Sequence, residues 1–190
     1  APSLTLNKIV VNDNGGLASE SAWTLTASGP TSISGPGAVG SADVVSDATF
    51  DAGTYTLSES VGSSGYTASV WTCTNGVTVN GSNQITVGLG VSTVCSITNN
   101  DSAPSLTLIK VVDNNNGGTA QASSWTLTAT GPTGFSGAGP SVSNGASFDA
   151  GTYALSESSV AGYSASSWVC SGGTQNGSNI TLGLGQEATC

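Results

Sequence analysis

Two residues stand out by rarity: Lys8 and Lys110 are the only basic side chains in the chain. They occupy the same place in two copies of one segment, "SLTLNKIVV" at 3–11 and "SLTLIKVVD" at 105–113. In the first copy Leu4, Leu6, Lys8 and Val10 share one phase of a period-two pattern, the phase assigned to a core. Glu59 and Glu157 fall in phase with Tyr55–Leu57 and Tyr153–Leu155 in the same way. Lys and Glu are almost never fully buried unless paired, so Lys8 is expected to meet Glu59, and Lys110 to meet Glu157. Asn99 follows Ile97 on a further inward phase. A Lys amine that loses its proton in a dry site can attack an Asn carboxamide and expel ammonia, provided a carboxyl of raised pKa shuttles the protons. Two readings of Lys8, Glu59 and Asn99 therefore stand: an isopeptide bond between Lys8 and Asn99, or a buried Lys8–Glu59 pair hydrogen-bonded to Asn99. Lys110 and Glu157 have no matching Asn before Cys190.

The elements that must position these residues repeat as a set. "WTLTASGPTSISG" at Trp23 returns as "WTLTATGPTGFSG" at Trp125, and "FDAGTYTLSES" at Phe50 as "FDAGTYALSES" at Phe148. "GYTASVWTC" at Gly65 returns as "GYSASSWVC" at Gly162, and "NGSNQITVGLG" at Asn80 as "NGSNITLGLG" at Asn176. The repeat divides the chain into module one, 1–102, and module two, 103–190. The join Asp101-Ser102-Ala103-Pro104 is short and stiffened by Pro, which favours a semi-rigid string of beads. Alternation rich in Thr, Val, Ile and aromatics, cut by Gly-Pro and Asn-Gly-Gly clusters, predicts short half-buried antiparallel strands. The expected architecture is all-β, two tandem immunoglobulin-like or prealbumin-like antiparallel sandwiches. Trp23, Trp71, Trp125 and Trp168 recur in phase with core positions and are expected to pack there rather than stack on sugars.

Composition removes several function classes. Only 7% of residues are charged and the net charge is −9. So few cations cannot neutralise nucleic-acid phosphates or an anionic membrane surface. There is no His, which removes the commonest general base and metal ligand. No triad or acid–base pair is legible, so self-modification is the only chemistry expected, with no cofactor and no metal. "NDNGG" and "VDNNNGG" look faintly like calcium loops, but no bidentate Glu follows at the right distance and they read as turns. The triplets starting at Asn80, Asn100, Asn176 and Asn179 fit N-glycosylation sequons, and they read as chance matches in a Ser/Thr-rich chain. Cys73 with Cys95 and Cys170 with Cys190 is the simplest pairing, a disulfide within each module and a location outside the cytoplasm. No apolar run is long enough to span a bilayer, and the absence of Met even at position 1 reads as a processed form or an excerpt.

"LTLNKIV", "FDAGTYTLSES", "GY" and "ITNND" resemble the prealbumin-like sandwich modules of bacterial surface proteins, the collagen-adhesin B-type and SpaA-type repeats of pilins and adhesin stalks. The resemblance covers both modules. It implies a tandem, mechanically stable spacer at the cell surface, often carrying an internal Lys–Asn isopeptide bond assisted by an acid. By motif position those residues are Lys8, Asn99 and Glu59. The disulfides and the lack of a terminal Asn in module two depart from that pattern.

Module one runs past Cys95 into "SITNND", whereas no such stretch follows Cys190. The expected consequence is a groove in module two filled by a following repeat or by a strand donated from another subunit. Either route gives a head-to-tail array whose partners are copies of the chain itself. The rival expectation is an adhesin module that binds a glycan or protein through its loops. The candidate there is the stretch Gly35–Asp47, which is longer than its counterpart Gly137–Asn144.

Overall fold

The structure is a computed structural model that describes residues 1–38 and 40–190. The chain separates into two compact units, Ala1–Asn12 with Leu17–Asn100, and Asp13–Gly16 with Asp101–Cys190. The strands of module one are β1 (Ser3–Val11), β2 (Thr24–Ser28), β3 (Ile33–Pro36), β4 (Gly53–Glu59), β5 (Tyr66–Ala68), β6 (Thr72–Cys73), β7 (Gln84–Val87) and β8 (Ser92–Asp101). Those of module two are β9 (Ser105–Ile109), β10 (Thr126–Thr130), β11 (Phe135–Ala138), β12 (Ser141–Ser143), β13 (Gly151–Glu157), β14 (Thr174–Asn176), β15 (Asn179–Leu182) and β16 (Glu187–Thr189). Among the described residues helix is confined to single 3₁₀ turns such as Glu20–Ala22 and Ala122–Ser124.

Each module is a two-sheet sandwich. In module one the order β3-β2-β4-β7 faces a sheet in which β8 lies between β1 and β5 and also pairs with β6. In module two the corresponding sheets are β11-β10-β13-β15-β14 and β12-β9-β16. The alternation places Leu4, Leu6, Leu25, Ala27, Tyr55, Leu57, Ile85, Val87, Cys95 and Ile97 in one buried cluster drawn from both sheets. Leu106, Leu108, Leu127, Ala129, Tyr153, Leu155, Ile180 and Leu182 form its counterpart. Burying each Leu, Ile or Val side chain of these clusters stabilises by roughly 1.5–3 kcal/mol.

The FDAGTY box has a physical reason. Phe50 stacks on Tyr55 with ring centroids 4.7 Å apart, and Phe148 on Tyr153 at 4.4 Å. Each tyrosine hydroxyl then donates back to a backbone carbonyl, Tyr55 to Asp51 and Tyr153 to Asp149, both at 2.7 Å. The large apolar body is buried and its one polar atom stays bonded.

The alternation read above as antiparallel is in fact the same for either strand direction, and the expectation is corrected for one pair in each module. The β2–β4, β4–β7, β10–β13 and β13–β15 pairs are antiparallel. The first and last strands of each module, however, are parallel: β1 with β8, and β9 with β16. The stretch Gly35–Asp47 is also less of a loop than its composition implies. It begins in β3, contains a 3₁₀ turn at Ala42–Val44, and Thr5 bridges Val45. Its counterpart in module two forms β12 on the edge of β9. One inward valine in each case, Val44 or Val142, packs on the core and holds the segment to the sheet. Val39, within that stretch, lies outside the described residues.

The disulfides join Cys73 to Cys95 and Cys170 to Cys190, across sequence separations of 22 and 20 residues. Cys73 and Cys95 also face each other in the antiparallel β6–β8 pair. We expect reduction to destabilise each module by roughly 3 kcal/mol, the chain-entropy value for loops of this size. Denaturant midpoints with and without reductant check it, and an unchanged midpoint would mean that the strand pairing alone holds these edges.

Candidate functional site

The site is built where β1, β4 and β8 converge. Lys8 points inward from β1 because it continues the phase of Leu4 and Leu6. Glu59 closes β4 in the phase of Tyr55 and Leu57. Lys8 Nζ donates to Glu59 Oε2 at 2.5 Å, with the lysine side chain 0% and the glutamate 14% exposed. The same amine sits 4.7 Å from the centre of the Trp23 ring, which supplies a cation–π contact in a desolvated setting. Burial pushes the Lys8 amine below its ordinary value, and the Glu59 carboxylate opposes only part of that shift.

Asn99 reaches this site through strand register. In the parallel β1–β8 pair Lys8 lies opposite Ile97, and Val10 opposite Asn99. Lys8 and Asn99 are therefore diagonal neighbours on adjacent strands and are both buried. Such neighbours lie roughly 7–8 Å apart, within reach of a long side chain. Asn99 Oδ1 is buried without a hydrogen-bond partner among the described residues. Leaving such a group unbonded costs about 1–3 kcal/mol, so this carboxamide is held in an unfavourable state.

Module two repeats the pair but not the full site. Lys110 Nζ donates to Glu157 Oε2 at 2.6 Å and lies 4.7 Å from the Trp125 ring centre. Its side chain is 14% exposed, where that of Lys8 is 0%.

Three contributors escaped the sequence reading. Trp23 and Trp125 were assigned to packing, yet each also caps a lysine; their recurrence beside the lysines was the available signal. Gly37 allows the chain to press on the Lys8 stem, since a Cβ there would lie 2.7 Å from Lys8 Cβ and 2.8 Å from the Glu20 carbonyl. Asp101, read as the start of a linker, is instead the buried last residue of β8. Its carboxylate accepts the backbone N–H groups of Asp13 at 3.0 Å, Asn14 at 2.9 Å and Gly16 at 2.6 Å, all in the same unit. Gly15 makes the turn between them with φ +88°, a conformation that favours glycine.

The sequon asparagines Asn80, Asn100, Asn176 and Asn179 are all exposed, and Asn80 Oδ1 is occupied by the N–H groups of Ser82 and Gln84. Among the described residues no group of His, Cys, Asp and Glu is arranged to hold a metal ion, and no helix is long and apolar enough to cross a membrane.

Comparison with known proteins gives a match to the SpaA-type prealbumin-like fold domain twice, over residues 1–97 and 101–190. The solved structure of the Bacillus anthracis TIE protein is similar in fold, with a TM-score of 0.54 at 14% identity. The match covers 100% of this chain and 33% of that one. No curated protein matches the sequence.

Removing one partner of a buried pair leaves a charge without compensation. In an Asn99→Ala background, where the pair stays ionic, Glu59→Ala is expected to cost about 3–5 kcal/mol, whereas exchanging Lys8 and Glu59 together for Met and Leu should cost far less. Chemical denaturation of the three proteins compares these values. The same background allows a pH test of the Lys8 amine. The folded Lys8 pKa lies below the ordinary 10.5, so between those values the unfolded chain binds more protons. The Lys8 contribution to stability should then rise as pH climbs from the lowered value to 10.5, and stay flat at its least favourable below the lowered value. Comparison with Lys8→Met in the same background isolates it, and a flat difference would remove the desolvation argument.

Proposed function

Because the chain belongs in both its modules to the SpaA-type prealbumin-like fold domain family, we propose that it is a load-bearing part of an extracellular filament or surface stalk, assembled head-to-tail. Domains of this family are structural modules typical of surface pilins and adhesin stalks. The two disulfides fit an extracellular location.

The observation that carries the reading is the parallel pairing of β1 with β8, in register from Ser3↔Ser92 to Val11↔Asn100. Force entering at the start of β1 and leaving at the end of β8 pulls these strands in opposite directions along their length. The ladder is then loaded in shear, so its hydrogen bonds share the force and do not open one at a time. The Cys73–Cys95 bridge fastens β8 on its other side.

Within this reading the Lys8–Glu59–Asn99 site turns the clamp into a covalent one. A proton passes along the Lys8–Glu59 hydrogen bond and leaves a neutral amine. Its lone pair attacks Asn99 Cγ, Glu59 returns the first proton to Nδ2 so that the C–Nδ2 bond breaks, and Glu59 then takes a second proton from the new amide nitrogen. One amide forms and one ammonia leaves, with no oxidant or cofactor required. The desolvated amine and the unpartnered carboxamide oxygen support this assignment.

Intact mass of the reduced protein tests the chemistry. The expected value lies about 17 Da below the sequence mass, the ammonia lost in amide formation, and Asn99→Ala or Glu59→Ala restores the full value. An unchanged mass would leave the site as a buried ion pair. Pulling single molecules by their ends tests the function. Module one should resist extension even after reduction, and should extend at ordinary forces in Asn99→Ala. Easy extension of the unsubstituted protein, or discrete monomers in electron micrographs of the native material, would overturn the stalk reading.

A further inference from the structure

A Gly-Tyr pair recurs in both modules, as Gly65-Tyr66 and Gly162-Tyr163. Gly65 turns the chain with φ 80°, and Tyr66 then opens β5, on the sheet that contains β1 and β8. Its ring meets that of Trp23 edge to face, with centroids 5.3 Å apart and planes at 74°. Trp23 in turn lies 4.7 Å from the Lys8 amine. Tyr66 thus reaches the lysine through the indole.

The Tyr66 hydroxyl is anchored on both its donor and its acceptor side. It donates to Asn12 Oδ1 at 2.5 Å and accepts the Ala18 N–H at 3.0 Å. Asn12 Nδ2 donates to the Ala18 carbonyl at 3.0 Å, so Asn12, Ala18 and Tyr66 close a ring of hydrogen bonds. Asn12 directly follows β1, the strand that carries Lys8. The tyrosine is therefore tied to the end of the lysine's own strand. Gly62 presses on the indole from another direction, since a Cβ there would overlap Trp23 Nε1. Between Gly62, Tyr66 and Lys8 the indole has little room to rotate.

Module two repeats the brace bond for bond. The Tyr163 hydroxyl donates to Asn114 Oδ1 at 2.5 Å and accepts the Ala120 N–H at 3.0 Å, and Asn114 Nδ2 donates to the Ala120 carbonyl at 3.2 Å. The Trp125 and Tyr163 rings lie 5.1 Å apart at 89°. The loops closed in this way differ in sequence, Asp-Asn-Gly-Gly-Leu at 13–17 against Asn-Asn-Gly-Gly-Thr at 115–119. The brace accompanies the lysine–tryptophan pair, not one loop sequence.

We propose that Tyr66 is a positioning residue for the Lys8 site: its anchored ring fixes Trp23 over the amine and keeps water away while the bond to Asn99 forms. The inference rests on the Lys8–Asn99 reading and adds a residue that sets the rate of that step. A loosened indole admits water to the amine and lets the nitrogen drift from Asn99 Cγ. Small displacements of reacting groups cost rate steeply.

Cell-free synthesis of the 190-residue protein, sampled over time by intact mass after reduction, follows the loss of about 17 Da. Tyr66→Phe keeps the ring and loses the hydroxyl, and Tyr66→Leu loses both. Bond formation should slow roughly tenfold in the first variant and further in the second. Tyr55→Phe is the control, because it removes a hydroxyl bonded instead to the Asp51 carbonyl of the same module. It should leave the rate unchanged. Tyr66→Phe removes a single oxygen, so the test does not depend on whether Tyr66→Leu folds.

A second arm needs no bond. In Asn99→Ala protein carrying isotope-labelled lysine, only Lys8 and Lys110 give lysine signals in an NMR titration, and Lys8→Met assigns them. The ionisable groups around the Lys8 amine are Glu59 on β4 and, across the indole, Tyr66 itself, while Ile97 opposite on β8 carries no charge. Water relieves the burial that holds the amine below 10.5, so Tyr66→Phe should move the Lys8 titration up towards that value and leave Lys110 unmoved. A Tyr66→Phe rate equal to that of the control, or a Lys8 titration that neither Tyr66 substitution moves, would each overturn the proposal. Full mass in the unsubstituted protein would sink the Lys8–Asn99 reading instead. The titration then decides the brace alone: a shift upholds Tyr66 as the residue that sets Trp23 over Lys8, and no shift removes it.

Discussion

The feature on which the rest depends is a charge taken out of water. Lys8 is held with its side chain fully enclosed, bonded to Glu59 and covered by Trp23. Desolvation is the largest influence on its amine. A buried ion pair is weak as a stabilising device, because well-packed apolar residues of similar volume usually do as well or better. Yet every surrounding element accommodates it: a glycine at 37 where any side chain would collide with the lysine stem, a tryptophan face over the ammonium, and a carboxylate at the end of β4. A core organised around a costly group is easier to understand when that group has chemistry to perform.

Strand direction gives the proposed bond formation its geometry. Asn99 comes within diagonal range of Lys8 because β8 runs parallel to β1 with Lys8 opposite Ile97. A shift of one residue in this register would turn Asn99 to the outer face and Asn100 inward. Three devices hold the register. Cys95 is tied to Cys73 across β6, Ile97 is seated in the core, and the Asp101 carboxylate is gripped by backbone amides. In the proposed stalk the same constraints would load the first and last strands in shear and bring Lys8 and Asn99 to diagonal positions, so the two proposed roles share one structural cause.

The two modules show which parts of this arrangement are separable. The lysine–glutamate–tryptophan cluster forms in module two with nearly the same distances, although β16 pairs with β9 over a much shorter stretch. It is built by Lys110 just after β9, Trp125 just before β10 and Glu157 at the end of β13. In module one β8 contributes coverage: the Lys110 side chain is 14% exposed where the Lys8 side chain is 0%. Coverage governs how far burial can act on the amine, so in module one the strand that carries Asn99 also completes the dry environment of Lys8.

Much of this was legible in the residues. Period-two alternation marked Leu4, Leu6 and Lys8 as inward, and the burial of all three follows from the pleat of a strand, which sends alternate side chains to opposite faces. The repeat identified the modules, and phase alone brought Lys8 and Glu59 to the same core and Asn99 to a buried position. The parallel sense of β1 and β8 was not legible, because alternation is identical for either direction and pairing across 89 residues leaves no local trace. Nor was the role of Asp101, whose neighbours Ser102 and Pro104 read as a linker until the fold placed three backbone amides around its carboxylate. Local sequence thus determined which side chains face inward. Only the tertiary structure decided which strands lie together and in which direction, since that depends on contacts between segments far apart in the chain.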